Sequence, residues 1–116
     1  MSVNGLGERL LYQDEQLRIT VRATPWAPAV TLIGEIDATN SSALASVLAS
    51  CHRGTHIVVD TGALTFIDVS GLRVLALPWL PPAERWIRLY NLTPSQQRLL
   101  RMMGWFDQHQ AHHLPL

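Results

Sequence analysis

The residues best suited to chemistry are Asp68 and Ser70, a carboxylate and a hydroxyl two positions apart in the segment 66–72, FIDVSGL. The apolar run 57–59 is typical of a buried strand, and the sequence from Gly71 onwards predicts a short helix. Asp68 would cap that helix, which makes Ser70 its second residue. Free backbone N–H groups and the positive end of the helix dipole favour an anion there. Ser70 therefore suits phosphorylation; its alternative role is to help cap the helix.

A serine beside a carboxylate also occurs in hydrolase triads, which need a histidine base. No histidine lies close to Ser70 in the sequence, because His52 and His56 flank the start of the predicted strand at the opposite end. The histidines of the C-terminal segment 108–116 have no predicted helix or strand to fix a metal-binding geometry. We therefore predict no catalysis, no metal site and no cofactor.

Composition restricts the class of protein further. A chain of 116 residues that is 47% hydrophobic suits one compact domain, which we place at 9–107 with flexible segments at 1–8 and 108–116. Nine basic and nine acidic residues leave no net charge, which argues against non-specific binding of nucleic acid or anionic membranes. The single cysteine, Cys51, forms no intramolecular disulfide, and there is no long apolar run; we expect no signal peptide, because residues 1–7 lack its charged and apolar regions. The predicted location is the cytoplasm, and the predicted partner is another protein.

The first half of the chain predicts a hairpin followed by a helix. Residues 17–23 alternate between apolar and polar, and 29–37 read as a second strand in which Gly34 marks a bulge or close approach. Apolar side chains with helical spacing then predict a helix over 41–52, capped by Thr39 or Asn40.

The second half predicts a central strand at 57–59 that is covered on both faces, followed by the short helix after Ser70, which Pro78 must end. A further strand is expected over 86–90. Thr93 opens the last helix with a capping box, and Gly104 ends it. Strands that alternate with short helices predict an α/β fold, a small mixed sheet with helices packed on it.

The motifs 34–37 (GEID), Asp60 and 66–75 together resemble the STAS domain of anti-sigma factor antagonists. The segment 97–107 is similar to the closing helix of that family, so the resemblance spans about 17–107. It implies the STAS fold described above. Unlike many members, which carry a second serine before the phosphorylated one, this chain has a valine.

In that family the unphosphorylated protein binds an ATP-dependent serine kinase that is also an anti-sigma factor, and this binding frees the sigma factor. Phosphorylation of the motif serine ends the binding, and a metal-dependent serine phosphatase restores it. The resemblance implies that Ser70 is the phosphorylated residue. It also implies an anti-sigma factor serine kinase and a serine phosphatase as partners, with no direct contact to nucleic acid and no membrane insertion.

The implied partner surface combines both loops. Asp37 is either a partner contact or an ordinary loop carboxylate, and Asp68 either only caps the helix or also touches the partner. Gly71 is expected to leave the backbone uncovered for the phosphate donor, and Leu77 is a further candidate at the edge of the patch. The predicted partner-binding residues are Asp37, Asp68, Val69, Ser70, Gly71 and Arg73.

A second function remains open. Stand-alone STAS proteins also serve as accessory subunits on the ATPase of lipid-transport ABC systems, where the same face docks without a phosphorylation cycle. Trp79, which lies among prolines after the short helix, is the tryptophan expected to be exposed at an interface. The other two that we considered, Trp86 and Trp105, are expected to pack.

Overall fold

The computed structural model describes residues 7–105. In this range, five strands and three α-helices alternate along most of the chain, with a short 3-10 turn at Pro82–Glu84. The elements are β1 (Arg9–Gln13), β2 (Leu17–Arg22), β3 (Ala29–Ile36), α1 (Ser41–Cys51), β4 (Ile57–Ile67), α2 (Val69–Ala76), β5 (Ile87–Tyr90) and α3 (Pro94–Met102).

The strands form one mixed sheet in the order β1-β2-β3-β4-β5. The first three are antiparallel neighbours, whereas β4 runs parallel to both β3 and β5. Parallel neighbours need a crossover connection, which α1 and α2 supply. The mixed sheet confirms the predicted fold class, and the hairpin of β2 and β3 is confirmed with it. β1 was not predicted.

The core lies on one face of the sheet. Leu17, Ile19 and Val21 of β2 are buried there, and residues of all three helices join the same cluster. On the other face, Ile33 is 40% exposed and Val58 is only half-buried. β4 is therefore an interior strand, but the prediction that both of its faces are covered is wrong.

The predicted end of α2 is confirmed. The helix stops at Ala76, and Leu77 takes the left-handed conformation with φ of 48° immediately before Pro78. Arg85 then donates from Nε to the carbonyl oxygens of Leu77 and Leu80, at 3.2 and 3.1 Å. These bonds join Arg85 to the turn that follows α2.

The capping box predicted at Thr93 is also confirmed, and its glutamine has a second role. Gln96 is 5% exposed, and its Oε1 accepts from the hydroxyl of Thr61 at 2.8 Å and from the N–H of Thr93 at 2.9 Å. Its Nε2 donates to the carbonyl oxygen of Thr61 at 3.1 Å. The side chain therefore joins α3 to β4 just beyond Asp60, the last residue of β4 that pairs with β5.

Gln96→Ala is expected to destabilise the protein by about 2 kcal/mol, because it removes all three of these bonds and leaves the hydroxyl of buried Thr61 only its longer bond to the carbonyl oxygen of Tyr90, at 3.4 Å. Urea unfolding measures the change. Gln97→Ala is the matched control, since that half-buried side chain makes one longer bond, 3.3 Å to the carbonyl oxygen of Leu92. Equal losses in the two variants would contradict a special role for Gln96.

None of the helices between residues 7 and 105 has the length and hydropathy of a membrane-spanning segment. The predicted tail 108–116 lies outside the described residues, as do residues 1–6 of the predicted N-terminal segment.

Candidate functional site

Two loops meet at one edge of the sheet. Ile36 ends β3 beside Ile67 at the end of β4, and the N–H of Asp68 donates to the carbonyl oxygen of Ile36 at 3.1 Å. The loop after β3 begins with Asp37, and the loop after β4 leads into Ser70. The carboxyl ends of parallel strands are a common place for binding sites. The fold thus brings together the two motifs that the sequence singled out.

Asp68 caps α2, as predicted. Its Oδ1 accepts from the N–H of Gly71 at 3.1 Å and from the hydroxyl of Ser70 at 2.6 Å. Because α2 begins at Val69, Ser70 is the second helical residue, also as predicted. The hydroxyl proton of Ser70 is thereby directed to the carboxylate, and the oxygen keeps its lone pairs for an incoming group.

Asp68→Ala is expected to cost about 1 kcal/mol of stability, the usual effect of losing a helix cap. Asp68→Asn keeps an acceptor oxygen at the same position, so its expected loss is smaller. Thermal and urea unfolding of the two variants measure the difference. An Asn variant as unstable as the Ala variant would show that the cap bond to Gly71 contributes little.

The solvent face of α2 carries three predicted partner residues. Val69 is 52% exposed, Arg73 is exposed one turn further on, and Ser70 is half-buried between them. Such spacing places all three side chains on one side of the helix. Phe66, two residues before Asp68, is 51% exposed, but it lines a recess together with Ser95 and Leu99 of α3. We call Asp37, Val69, Ser70 and Arg73 the Ser70 face.

Two of the residues assigned to the partner surface point inward instead. Gly71 is buried, and a Cβ there would lie 2.6 Å from Cγ2 of Ile36 and 2.8 Å from Cγ1 of Ile67. Its missing side chain lets α2 pack on the sheet, so the predicted partner contact is corrected to a packing role. Leu77 is only 5% exposed, since the turn that ends α2 directs it into the core.

The loop after β3 is fixed by its own hydrogen bonds. Asp37 is half-buried and accepts from both the hydroxyl and the N–H of Thr39. These bonds lower the pKa of the Asp37 carboxyl, so it is charged at neutral pH. The site therefore presents a negative charge on the loop next to Ser70.

Asn40 holds this loop in place, a role that the sequence did not reveal. The residue is 1% exposed and occupies the capping position of α1, but its side chain makes no cap bond. Instead, its Oδ1 accepts from the N–H of Asp37 at 3.0 Å, and its Nδ2 donates to the carbonyl oxygen of Glu35 at 3.1 Å and to Asp14 at 3.3 Å. The predicted side-chain cap by Thr39 or Asn40 is therefore wrong, because both side chains are committed to the loop.

His52, His56 and Trp86 lie near the start of β4, at the opposite end of that strand from Ser70. Trp79 is 63% exposed, as predicted for it, whereas Trp105 is buried and Trp86 stacks on His52 with 4.3 Å between ring centroids. His56 precedes β4 and Ser70 follows it, so the eleven residues of the strand, two of which lie in bulges, separate them by roughly 30 Å at about 3.3 Å per residue. No base for a hydrolase triad reaches Ser70 from there. Across 7–105, no three His, Cys, Asp or Glu residues form a group that could hold a metal ion.

Comparison with known proteins agrees with this geometry. A family model described as "Mlab, STAS domain" matches residues 19–111. The crystal structure of an anti-sigma factor antagonist from Mycobacterium paratuberculosis is similar with a TM-score of 0.60 at 20% identity, covering 89% of this chain and 83% of that one. The anti-sigma factor antagonist SpoIIAA in its unphosphorylated form is similar with a TM-score of 0.51 at 19% identity, covering 81% and 92%. Comparison with curated protein sequences finds no match.

At these identities the two solved structures show the fold alone, whereas the family model extends over most of the sequence. Its match includes both loops of the site, Ser70 and its cap Asp68, and the last helix, α3. The chain belongs to the STAS domain family and has the fold of the anti-sigma factor antagonists.

Proposed function

We propose that this protein is an anti-sigma factor antagonist whose Ser70 face binds an anti-sigma factor serine kinase. Phosphorylation of Ser70 ends this binding, and a serine phosphatase restores it. The observation that carries the proposal is the position of the Ser70 hydroxyl. It is the second residue of α2, it donates to Asp68 at 2.6 Å, and it shares one side of the helix with the exposed residues Val69 and Arg73.

The charges around Ser70 suit a switch. A phosphate adds about −1.5 to −2 charge, which the N-terminus of α2 tolerates because of its free N–H groups and dipole. Phosphorylation also removes the proton that Ser70 donates, so the bond to Asp68 becomes a repulsion between two anions. The phosphate must therefore turn away from Asp68 towards solvent, where a partner would dock. The fold survives this change, but the docked complex does not.

Arg73 acts in both the unphosphorylated and the phosphorylated protein. In the unphosphorylated protein its exposed guanidinium belongs to the contact surface, one turn after Ser70. Residues three positions apart on a helix are neighbours, so a phosphate on Ser70 lies within reach of Arg73. Pairing with the phosphate would withdraw this arginine from the partner. Phosphorylation thus adds charge to the surface and removes a cationic contact from it.

Co-purification of the tagged protein from its native host tests the proposal. The unmodified chain is expected to bring down a serine kinase, and Ser70→Asp is expected to lose it, because a charge of about −1 at this position imitates part of the phosphate. Ser95→Asp is the matched control: Ser95 is exposed and is also the second residue of its helix, α3, but it lies outside the Ser70 face. Loss of the kinase in both variants, or in neither, would contradict the proposed role of Ser70.

The second candidate is an accessory subunit on the ATPase of a lipid-transport ABC system. It is favoured by Val69, which places an apolar side chain, 52% exposed, directly before Ser70. An apolar contact at the centre of the face suits lasting association that no charge regulates. Recovery of an ABC ATPase in place of a kinase, unaffected by phosphatase treatment of the sample, would support this candidate.

A further inference from the structure

A second concave site lies at the opposite end of the sheet from Ser70. An open cavity of about 630 Å³ is lined by the start of β1, the connection between β2 and β3, and the end of α1 with the loop that follows it. The volume falls within the range of about 300 to 1,000 Å³ that is usual for small-molecule sites. None of the residues of the Ser70 face lines it.

The walls of this cavity combine apolar surface with positive charge. Leu11, Val21 and Ala27 contribute apolar side chains that are wholly or partly buried. Two arginines, Arg9 and Arg53, also line it, and no Asp or Glu is found among the described residues around it. The whole chain has equal numbers of acidic and basic residues, so this excess of positive charge is local to the cavity.

The two guanidinium groups act on the same part of the cavity. Burial raises the pKa of the Cys51 thiol, but the charges of both Arg9 and Arg53 oppose that effect. Both charges therefore reach this one side chain of the lining, and the two arginines line the cavity from different walls, Arg9 from β1 and Arg53 from the loop after α1. Two cations on the walls of one partly apolar cavity favour a bound anion.

The rim of the cavity carries an aromatic side chain, and the loop that bears it is held by its own hydrogen bonds. Trp26 is 82% exposed, although the adjacent Ala27 is buried. The hydroxyl of Thr24 donates to the carbonyl oxygen of Ala27 at 2.6 Å and accepts from the N–H groups of Ala27 and Trp26 at 3.1 and 3.3 Å. A large indole held in the open at the mouth of a cavity offers a stacking surface to a flat ligand.

We propose that this cavity binds a small organic anion with an apolar, aromatic body, whose acidic group meets Arg9 and Arg53 and whose ring lies against Trp26. The acidic group is a carboxylate, sulfonate or phosphate, since all three accept the paired hydrogen bonds that guanidinium groups donate. The site is independent of the Ser70 face, so it gives the protein a ligand in addition to its protein partner.

Fluorescence titration of the full chain with anilinonaphthalene sulfonate tests the site, because this probe joins an aromatic body to one negative charge. Saturable binding at one site is expected. The neutral analogue N-phenyl-1-naphthylamine has the same rings without the sulfonate and is expected to bind about tenfold more weakly or worse. Equal binding of the two probes, or no saturable binding of the sulfonate, would overturn the proposal.

Replacement of the two arginines by glutamine tests whether the probe binds in this cavity. Arg9→Gln combined with Arg53→Gln is expected to weaken the sulfonate probe by about tenfold or more. Arg98→Gln combined with Arg101→Gln removes the same charge from exposed positions of α3 and is expected to change affinity by less than about twofold. Equal loss in the two pairs would overturn the proposal.

In NMR titration, amide shifts are expected at 9–11, 21–28 and 50–55, and shifts centred on Ser70 would contradict the assigned location. Because neither readout involves the kinase, failure here leaves the function proposed for Ser70 untouched.

Discussion

Gly34→Ala is expected to destabilise the protein by about 4 kcal/mol or more, which is a large part of the roughly 5 to 15 kcal/mol that stabilises an ordinary domain. Gly34 has φ of 114°, a conformation that side chains rarely adopt, and a Cβ there would collide with the backbone carbonyl oxygen of Gln16. That oxygen also accepts from the N–H of Glu35 at 2.8 Å. Backbone cannot rotate away as a side chain does, so the turn between β1 and β2 would have to separate from β3.

Comparison with Gly54→Ala separates the cost of the collision from the cost of placing a side chain at positive φ. Gly54 also has positive φ, 89°, but nothing lies within 4 Å of the position its Cβ would take. Its substitution carries only the conformational cost, about 1 to 2 kcal/mol. Circular dichroism and urea unfolding of both variants give the comparison. Similar losses at the two positions would show that the approach of Gln16 to Gly34 is unimportant, which contradicts the packing described here.

Gly71→Ala has the second largest expected effect, a loss of about 3 kcal/mol. Helix propensity alone predicts the opposite sign, because alanine inside a helix is favoured over glycine by about 1 kcal/mol. Packing decides the result, since the added methyl group would meet Ile36 and Ile67, both on neighbouring strands. α2 would have to move away from the sheet, and Ser70 would move with it.

A double-mutant cycle with Ile36→Ala tests this explanation. Ile36→Ala removes the Cγ2 atom nearest to the new methyl group, so Gly71→Ala should cost at least about 1 kcal/mol less in that background. Urea unfolding of the four proteins provides the coupling energy. Additive effects, or an increase in stability for Gly71→Ala alone, would show that α2 does not depend on close contact at Gly71.

The elements predicted correctly depend on local patterns. The hairpin of β2 and β3, the capping box at Thr93 and the stop at Pro78 each follow from residues within a few positions of one another. β1 has no alternating pattern, because a bulge between Leu10 and Tyr12 shifts its register against β2. An apolar run such as 57–59 suits a strand that is covered on one face as well as one covered on both. The open face of the sheet therefore does not follow from the sequence.

The features of the site also divide into those that follow from local patterns and those that depend on distant residues. The cap bond from the N–H of Gly71 to Asp68 follows from the capping rule, which needs only residues three positions apart. The inward direction of Gly71 depends on which side of α2 packs against Ile36, a residue 35 positions earlier. Asn40 holds its loop partly through Asp14, which is 26 positions away. Long-range contacts of this kind leave no trace in a single sequence.

Intact-mass analysis of the protein from its native host, with and without phosphatase, tests the role of Ser70 most directly. The expected result is a gain of one phosphoryl group that phosphatase removes and that Ser70→Ala abolishes. Ser95→Ala, at the equivalent position of α3, should keep the gain. A phosphoryl group that persists in Ser70→Ala, or a protein that stays unmodified under every growth condition, would contradict the proposed switch.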